Sequence, residues 1–187
     1  MTQADRSRWL VLIVKIPAEP SRHRVAAWRE LRRIGALSLG QGIWAVPDVP
    51  VFAGGVRRTV ELSERAQGQT VVLEATGRGG QDAARPRESF DALREADWTG
   101  FLADCGKFEE EIAKEIRIGK FTLAELEEEE QGLERLRRRH RDLTARDVFG
   151  FLLAADAAER LKQCAAACEH YAELVFEVLH EHPEGSG

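Results

Sequence analysis

Basic side chains crowd one short stretch of the chain: Arg22, His23, Arg24, Arg29, Arg32 and Arg33, with Arg57 and Arg58 further on. A guanidinium is planar, permanently charged and rich in N–H donors, which suits it to phosphate. Arg22, Arg29 and Arg33 recur at a spacing that puts them on one face of a helix, so they could track a row of phosphates. The alternative is a solvated helix surface whose charges are met by acidic side chains elsewhere in the chain. Arg22, Arg24, Arg29, Arg32, Arg33, Arg57 and Arg58 are therefore the expected nucleic-acid contacts.

Other groups with chemical potential lead to plainer readings. Cys164 and Cys168 lie one helical turn apart and could face a single metal ion, with Cys105 as a further ligand. His170 points elsewhere on that helix. Cysteines on a core-facing stripe behave as small hydrophobes, and no metal is expected. Gly119-Lys120-Phe121-Thr122 resembles the end of a phosphate loop, but the glycine required five residues before the Gly-Lys pair is replaced by Lys114. Ser21, Ser38, Ser63 and Ser89 lack the context of a nucleophile elbow. Glu19 is the sole carboxylate close to the end of the first apolar run, a weak basis for a metal-dependent nuclease. Neither catalytic residues nor a cofactor are expected.

Recognisable elements must position the arginines. Trp9–Ile16 is a nearly continuous apolar, β-branched run and reads as a central strand ended by Pro17 and Pro20. Ser21 offers a cap for a helix whose apolar positions are Val25, Trp28, Leu31 and Ile34, closed by Gly35. Extended runs 36–39 and 43–46 flank the hairpin signal Gly40-Gln41-Gly42. A second helix is expected over 51–67 and a last strand over 70–75. The order β-α-β-β-α-β predicts an α+β fold with a ferredoxin-like module: a four-stranded antiparallel sheet with both helices on one face. The module spans 1–76.

Residues 77–88, rich in glycine and containing Pro86, read as a linker. A helical segment follows over 89–180, a helical hairpin or three helices. Its seams run through Phe90, Leu93, Phe101, Cys105, Phe108, Ile112 and Ile116, then Leu126, Leu133, Leu136, His140 and Leu143, then Leu161, Cys164, Cys168, Tyr171, Val175 and Val178. Thr122-Leu-Ala-Glu125 is a capping-box sequence. Residues 181–187 read as a disordered tail.

The composition fits this division. Apolar residues make up 43% and charged residues 32% of the 187 positions, enough for a core and for much solvated helix surface. The net charge of −5 is unevenly placed: residues 1–80 hold 12 Lys and Arg against 7 Asp and Glu, and the remainder hold 15 against 25. Phosphate would be attracted by the first part and repelled by the second. An odd set of three cysteines argues against a disulfide scaffold. The run after the polar N-terminus is too short for a signal sequence or a membrane span, so the expected location is the cytoplasm, with no membrane partner.

Trp9-Leu-Val-Leu-Ile-Val-Lys-Ile-Pro-Ala-Glu-Pro20, then Arg22 and Trp28-Arg29, then Gly42-Ile-Trp-Ala-Val-Pro47, resemble the N-terminal region of ChrB-type chromate resistance proteins. Gly119-Lys-Phe-Thr-Leu-Ala-Glu-Leu-Glu-Glu128, Arg146-Asp147 and Phe149-Gly150 extend the resemblance, which runs from about Trp9 to Val178. It implies a role in chromate resistance as a chromate-responsive transcriptional regulator, with DNA of its own operon promoter as the partner. Longer family members carry a second, C-terminal domain associated with chromate sensing. The helical seams could pair between two copies to form a homodimer, or close within one chain. A protein–protein module without nucleic-acid affinity is the alternative, and a metal-dependent nuclease the remote one.

Overall fold

The structure, a computed structural model, describes residues 8–181. Its elements are β1 Trp9–Lys15, α1 Ser21–Arg33, β2 Leu37–Gly40, β3 Ile43–Pro47, α2 Pro50–Arg65, β4 Gln69–Ala75, α3 Gln81–Ile118, α4 Leu123–Arg146 and α5 Leu153–Glu181. They divide into two compact units, one ending at Leu93 and the other beginning at Arg94.

The sheet order is β2-β3-β1-β4 with every pairing antiparallel, the ferredoxin-like arrangement. β1 occupies an interior position because nearly every one of its side chains is apolar and both of its edges are paired. On the helix-covered face Leu12 lies opposite Trp44, and Leu10 opposite Val46. Leu12 and Val46 are fully buried. The other face places Val11 and Ile13 beside Leu73 and Val71 of β4, and it stays half open: Leu73 and Val71 are exposed. Trp9 ends that row under Phe90, which also meets Phe52 edge-on.

Three local expectations are corrected. Ser21 does not cap α1. It is the first helical residue, and Pro20 precedes it in extended conformation. Val25 and Trp28 are not core positions but are exposed, because the buried side of α1 is centred on Ala27 and Leu31 and continues to Ile34. Residues 81–88 are helical rather than linker, and only the glycine-rich turn before Gln81 connects the elements. Pro86 lies inside α3, in its second turn, where it has no N–H to donate to the carbonyl four residues back and its ring crowds that carbonyl.

Gly55 has a packing role. A Cβ there would come within 2.2 Å of the Ile34 side chain, so this glycine permits the close approach of α2 to the end of α1.

In the second unit the three seams close on one another within the chain, except that Phe90 and Leu93, expected on the first seam, belong to the first unit. Trp98, Phe101, Cys105, Phe108 and Ile112 of α3 share one core with Leu126, Leu133, Leu136 and Leu143 of α4 and with Cys164, Cys168, Tyr171 and Val175 of α5. The Thr122 hydroxyl accepts the Glu125 N–H at 3.3 Å, so half of the expected capping box forms. The other half does not, because the Glu125 carboxylate is taken by Lys120 Nζ at 2.6 Å. Asp147 organises the turn between α4 and α5 by accepting the N–H groups of Gly150 and Phe151 and the indole N–H of Trp98. Among the described residues no helix is long and apolar enough to cross a membrane. The expected tail, 181–187, lies outside the described residues except for Glu181, where α5 ends.

Candidate nucleic-acid interface

α1 carries two rows of arginine on either side of its buried stripe. At 100° per residue, Arg24, Trp28 and Arg32 fall in one row, each a turn from the next, and Arg22, Arg29 and Arg33 fall in the other. Trp28 is 53% exposed, and the Arg32 guanidinium carbon stands 5.9 Å from its ring centroid. A cation over an indole face at an exposed site is worth about 0.5–1 kcal/mol. This contact orients Arg32 without neutralising it.

Glu30 divides the second row. It is buried, and both of its carboxylate oxygens accept from Arg33, at 2.6 and 2.9 Å. Arg58, arriving from α2, lies 3.7 Å from the same carboxylate. The hydrogen bonds and charge of Arg33, with the charge of Arg58, hold the Glu30 carboxyl below its usual range despite burial. Arg33 and Arg58 are therefore part of the α1–α2 packing. Arg22, Arg24, Arg29, Arg32 and Arg57 are exposed, with no carboxylate at ion-pairing distance among the described residues. All seven predicted arginines lie on the two helices of the first unit, and these five keep their charge available.

The second unit differs. Arg137 and Arg141 pair with Glu134, Arg139 with Asp104, and Arg160 with Glu109. Its basic cluster is thus largely satisfied internally.

Beside the Arg24–Trp28–Arg32 row lies a cleft of about 500 Å³. It is lined by Lys15 and Ile16 at the end of β1, by Arg24 and Trp28 of α1, by Gln41 of the hairpin turn and by Trp44 of β3. The sequence reading missed the part played by Trp28. Its apolar character placed it with the core, although Arg24 and Arg32, four residues to either side, mark a polar row.

The three cysteines lie in the core of the second unit. Cys105, Cys164 and Cys168 are all buried, and the Cys164 thiol lies 3.7 Å from the Cys105 carbonyl oxygen. Burial raises the pKa of all three thiols, the opposite of what a thiolate ligand or nucleophile needs. Among the described residues no group of three His, Cys, Asp or Glu side chains is placed to hold a metal ion. Glu19 is exposed in the loop before α1.

The family model described as "Protein ChrB, N-terminal" matches residues 24–182, reaching from the Arg24 row through the second unit. The chain belongs to this family. Arg24, Trp28, Arg29, Arg32, Arg33, Arg57 and Arg58 all lie inside the matched region, and Arg22 just precedes it. The chain is also similar to Protein ChrB of Cupriavidus metallidurans, with 25% identity over 99 residues. That match covers 52% of this chain and 31% of the relative, so the chain spans under a third of the curated protein it resembles. No solved structure matches it.

Proposed function

We propose that this chain is a DNA-binding regulatory component of chromate resistance, and that it contacts DNA through α1 and the adjoining part of α2. The observation that carries the reading is the contrast between the two units. The arginines of α1 and α2 are exposed, and five of the eight have no carboxylate at ion-pairing distance among the described residues, whereas most of those of the acidic second unit are paired with carboxylates. Keeping like charges unpaired on one surface is unfavourable unless something anionic meets them, and phosphate is the anion best matched to rows of guanidinium groups. Arg22, Arg24, Arg29, Arg32 and Arg57 make the phosphate contacts. Arg33 and Arg58 hold the two helices in place through Glu30. Membership of the ChrB family supports the link to chromate. In this reading the chain works in the cytoplasm and is not an enzyme.

Fluorescence anisotropy of the purified chain with duplex DNA from upstream of its own operon tests the proposal, with scrambled duplex as the comparison. Salt-dependent binding that favours the operon sequence supports it. A chromate-dependent change in affinity would add sensing to these residues. Absence of binding at low salt would reject the reading in favour of a protein-partner module.

A further inference from the structure

The cleft beside Trp28 is built differently from the arginine rows around it. Its walls are apolar and aromatic: Val14 and Ile16 from β1, Ala27, Trp28 and Leu31 from α1, and Trp44 from β3. Its polar groups are Lys15, Arg24 and Gln41, and no carboxylate is among the described residues that line it. A surface that only tracks phosphates needs no such apolar hollow. A hollow that only takes an apolar ligand does not need two cations with no acid beside them. The combination fits a ligand with a flat, apolar body and an attached negative charge.

The hairpin turn contributes to this construction. Gln41 and Gly42 both have positive φ, 43° and 81°, a tight turn that places Gln41 at the cleft. A side chain at Gly42 is excluded, since its Cβ would stand 2.6 Å from the Val14 carbonyl oxygen. The Val14 N–H donates to the Gly42 carbonyl at 2.8 Å, which ties the turn to β1. A carboxamide offers both a donor and an acceptor, as the edge of a nucleobase requires. The exposed Trp28 indole supplies stacking surface for the base, and Lys15 and Arg24 supply charge for its phosphate. The volume of about 500 Å³ is within the range of small-ligand clefts.

We infer that the Lys15–Arg24–Trp28–Gln41–Trp44 cleft binds an unpaired nucleobase together with its phosphate, the base against indole and the phosphate between Lys15 and Arg24. The inference rests on the nucleic-acid reading for the kind of ligand and shares Arg24 with the helix surface, but Lys15, Gln41 and Trp44 lie outside that surface, so it can fail separately. The base could come from a free nucleotide or from an unpaired position in a strand.

Isothermal titration calorimetry of the full chain with deoxyadenosine 5′-monophosphate, and separately with a short single-stranded oligodeoxyadenylate, tests it. Saturable binding of one monophosphate per chain is expected, with deoxyribose 5-phosphate giving no heat. Lys15→Gln and Gln41→Gly should each weaken the affinity about ten-fold, the effect of losing one charge-assisted or specific hydrogen bond. Glycine suits the positive φ at position 41, so that variant keeps the turn. Trp28→Ala should abolish binding, and Trp28→Phe should retain most of it. Binding of the monophosphate alone identifies a free nucleotide as the source, and binding of both ligands identifies a base within a strand. Absence of saturable heat from the monophosphate at millimolar concentration overturns the inference, as does affinity unchanged in both Lys15→Gln and Trp28→Ala. Duplex binding by anisotropy is measured on the same samples. If it persists while the cleft ligands fail, only the cleft is rejected. If duplex binding fails while the monophosphate binds, the cleft stands and the helix surface is not a DNA contact.

Discussion

Arg33 is clasped by Glu30 through both carboxylate oxygens, at 2.6 and 2.9 Å, on the same helix whose other arginines have no carboxylate at ion-pairing distance among the described residues. The contact joins function to architecture. It assigns one member of a basic row to the fold and, with Arg58 drawn in from α2, leaves the rest of the row to face solvent. Residues that the sequence presents as equivalent are thereby divided into two kinds.

This division predicts different behaviour on substitution. Arg29→Ala, Arg24→Ala or Arg32→Ala should leave the melting temperature almost unchanged and weaken duplex DNA binding. Arg33→Ala should instead lower stability by roughly 1 kcal/mol, since it leaves a buried carboxylate with a poorer partner. Thermal melts and anisotropy on the same samples separate the two classes.

Glu30 also predicts an acid sensitivity. Its folded pKa lies below the usual value of 4.5, so its contribution is fully present above that value and is lost as pH falls toward the depressed folded one. The melting temperature of the parent chain should decline through this acid range, and that of Glu30→Gln should decline less steeply. Parallel curves would show that the carboxylate contributes no such term.

His140 sets a second and higher window. Its ring lies 5.6 Å from Trp98 and 5.5 Å from Phe101, and burial lowers its pKa below 6.5. The folded state thus resists protonation more than the unfolded chain does. Stability of the second unit should be complete above pH 6.5 and fall as the pH drops below it. His140→Phe should flatten that part of the profile, measured by helical circular dichroism.

Tyr171 is fully buried, and its hydroxyl donates to the Lys120 carbonyl at 2.5 Å, holding the α3–α4 connection against α5. Tyr171→Phe keeps the ring and removes this bond. A loss of about 1–2 kcal/mol is expected in urea unfolding, with little change in DNA affinity.

The fold was largely legible because its signals are local and mutually consistent. The apolar run of β1, the turn residues Gly40-Gln41-Gly42 and the interruptions at Gly35 and Pro47 fix the order of the first unit. Heptad-like spacing in turn marks the seams of the second. Pro86 misled because proline usually breaks a helix, yet α3 runs through it from Gln81. Ser21 looked like a cap, but capping depends on which residue is first to adopt helical backbone angles. Trp28 was harder still: a large apolar side chain within a helical period resembles core, and only the tertiary placement of Ala27, Leu31 and Ile34 turns it outward. Glu30 and Arg33 stand three residues apart, a spacing that permits pairing within one helix, but the addition of Arg58 depends on how α1 and α2 pack and is not readable from the sequence.

The salt dependence of duplex DNA binding, measured for the parent chain and for the combined Arg24→Ala and Arg32→Ala variant, tests the central claim most directly. Each phosphate contact contributes about 0.9 to the slope of log affinity against log salt, so removing two contacts should flatten it by about 1.8. That change, with an unaltered melting temperature, is the predicted result. An identical slope and affinity in the two proteins, or no binding by the parent chain at low salt, would contradict the account.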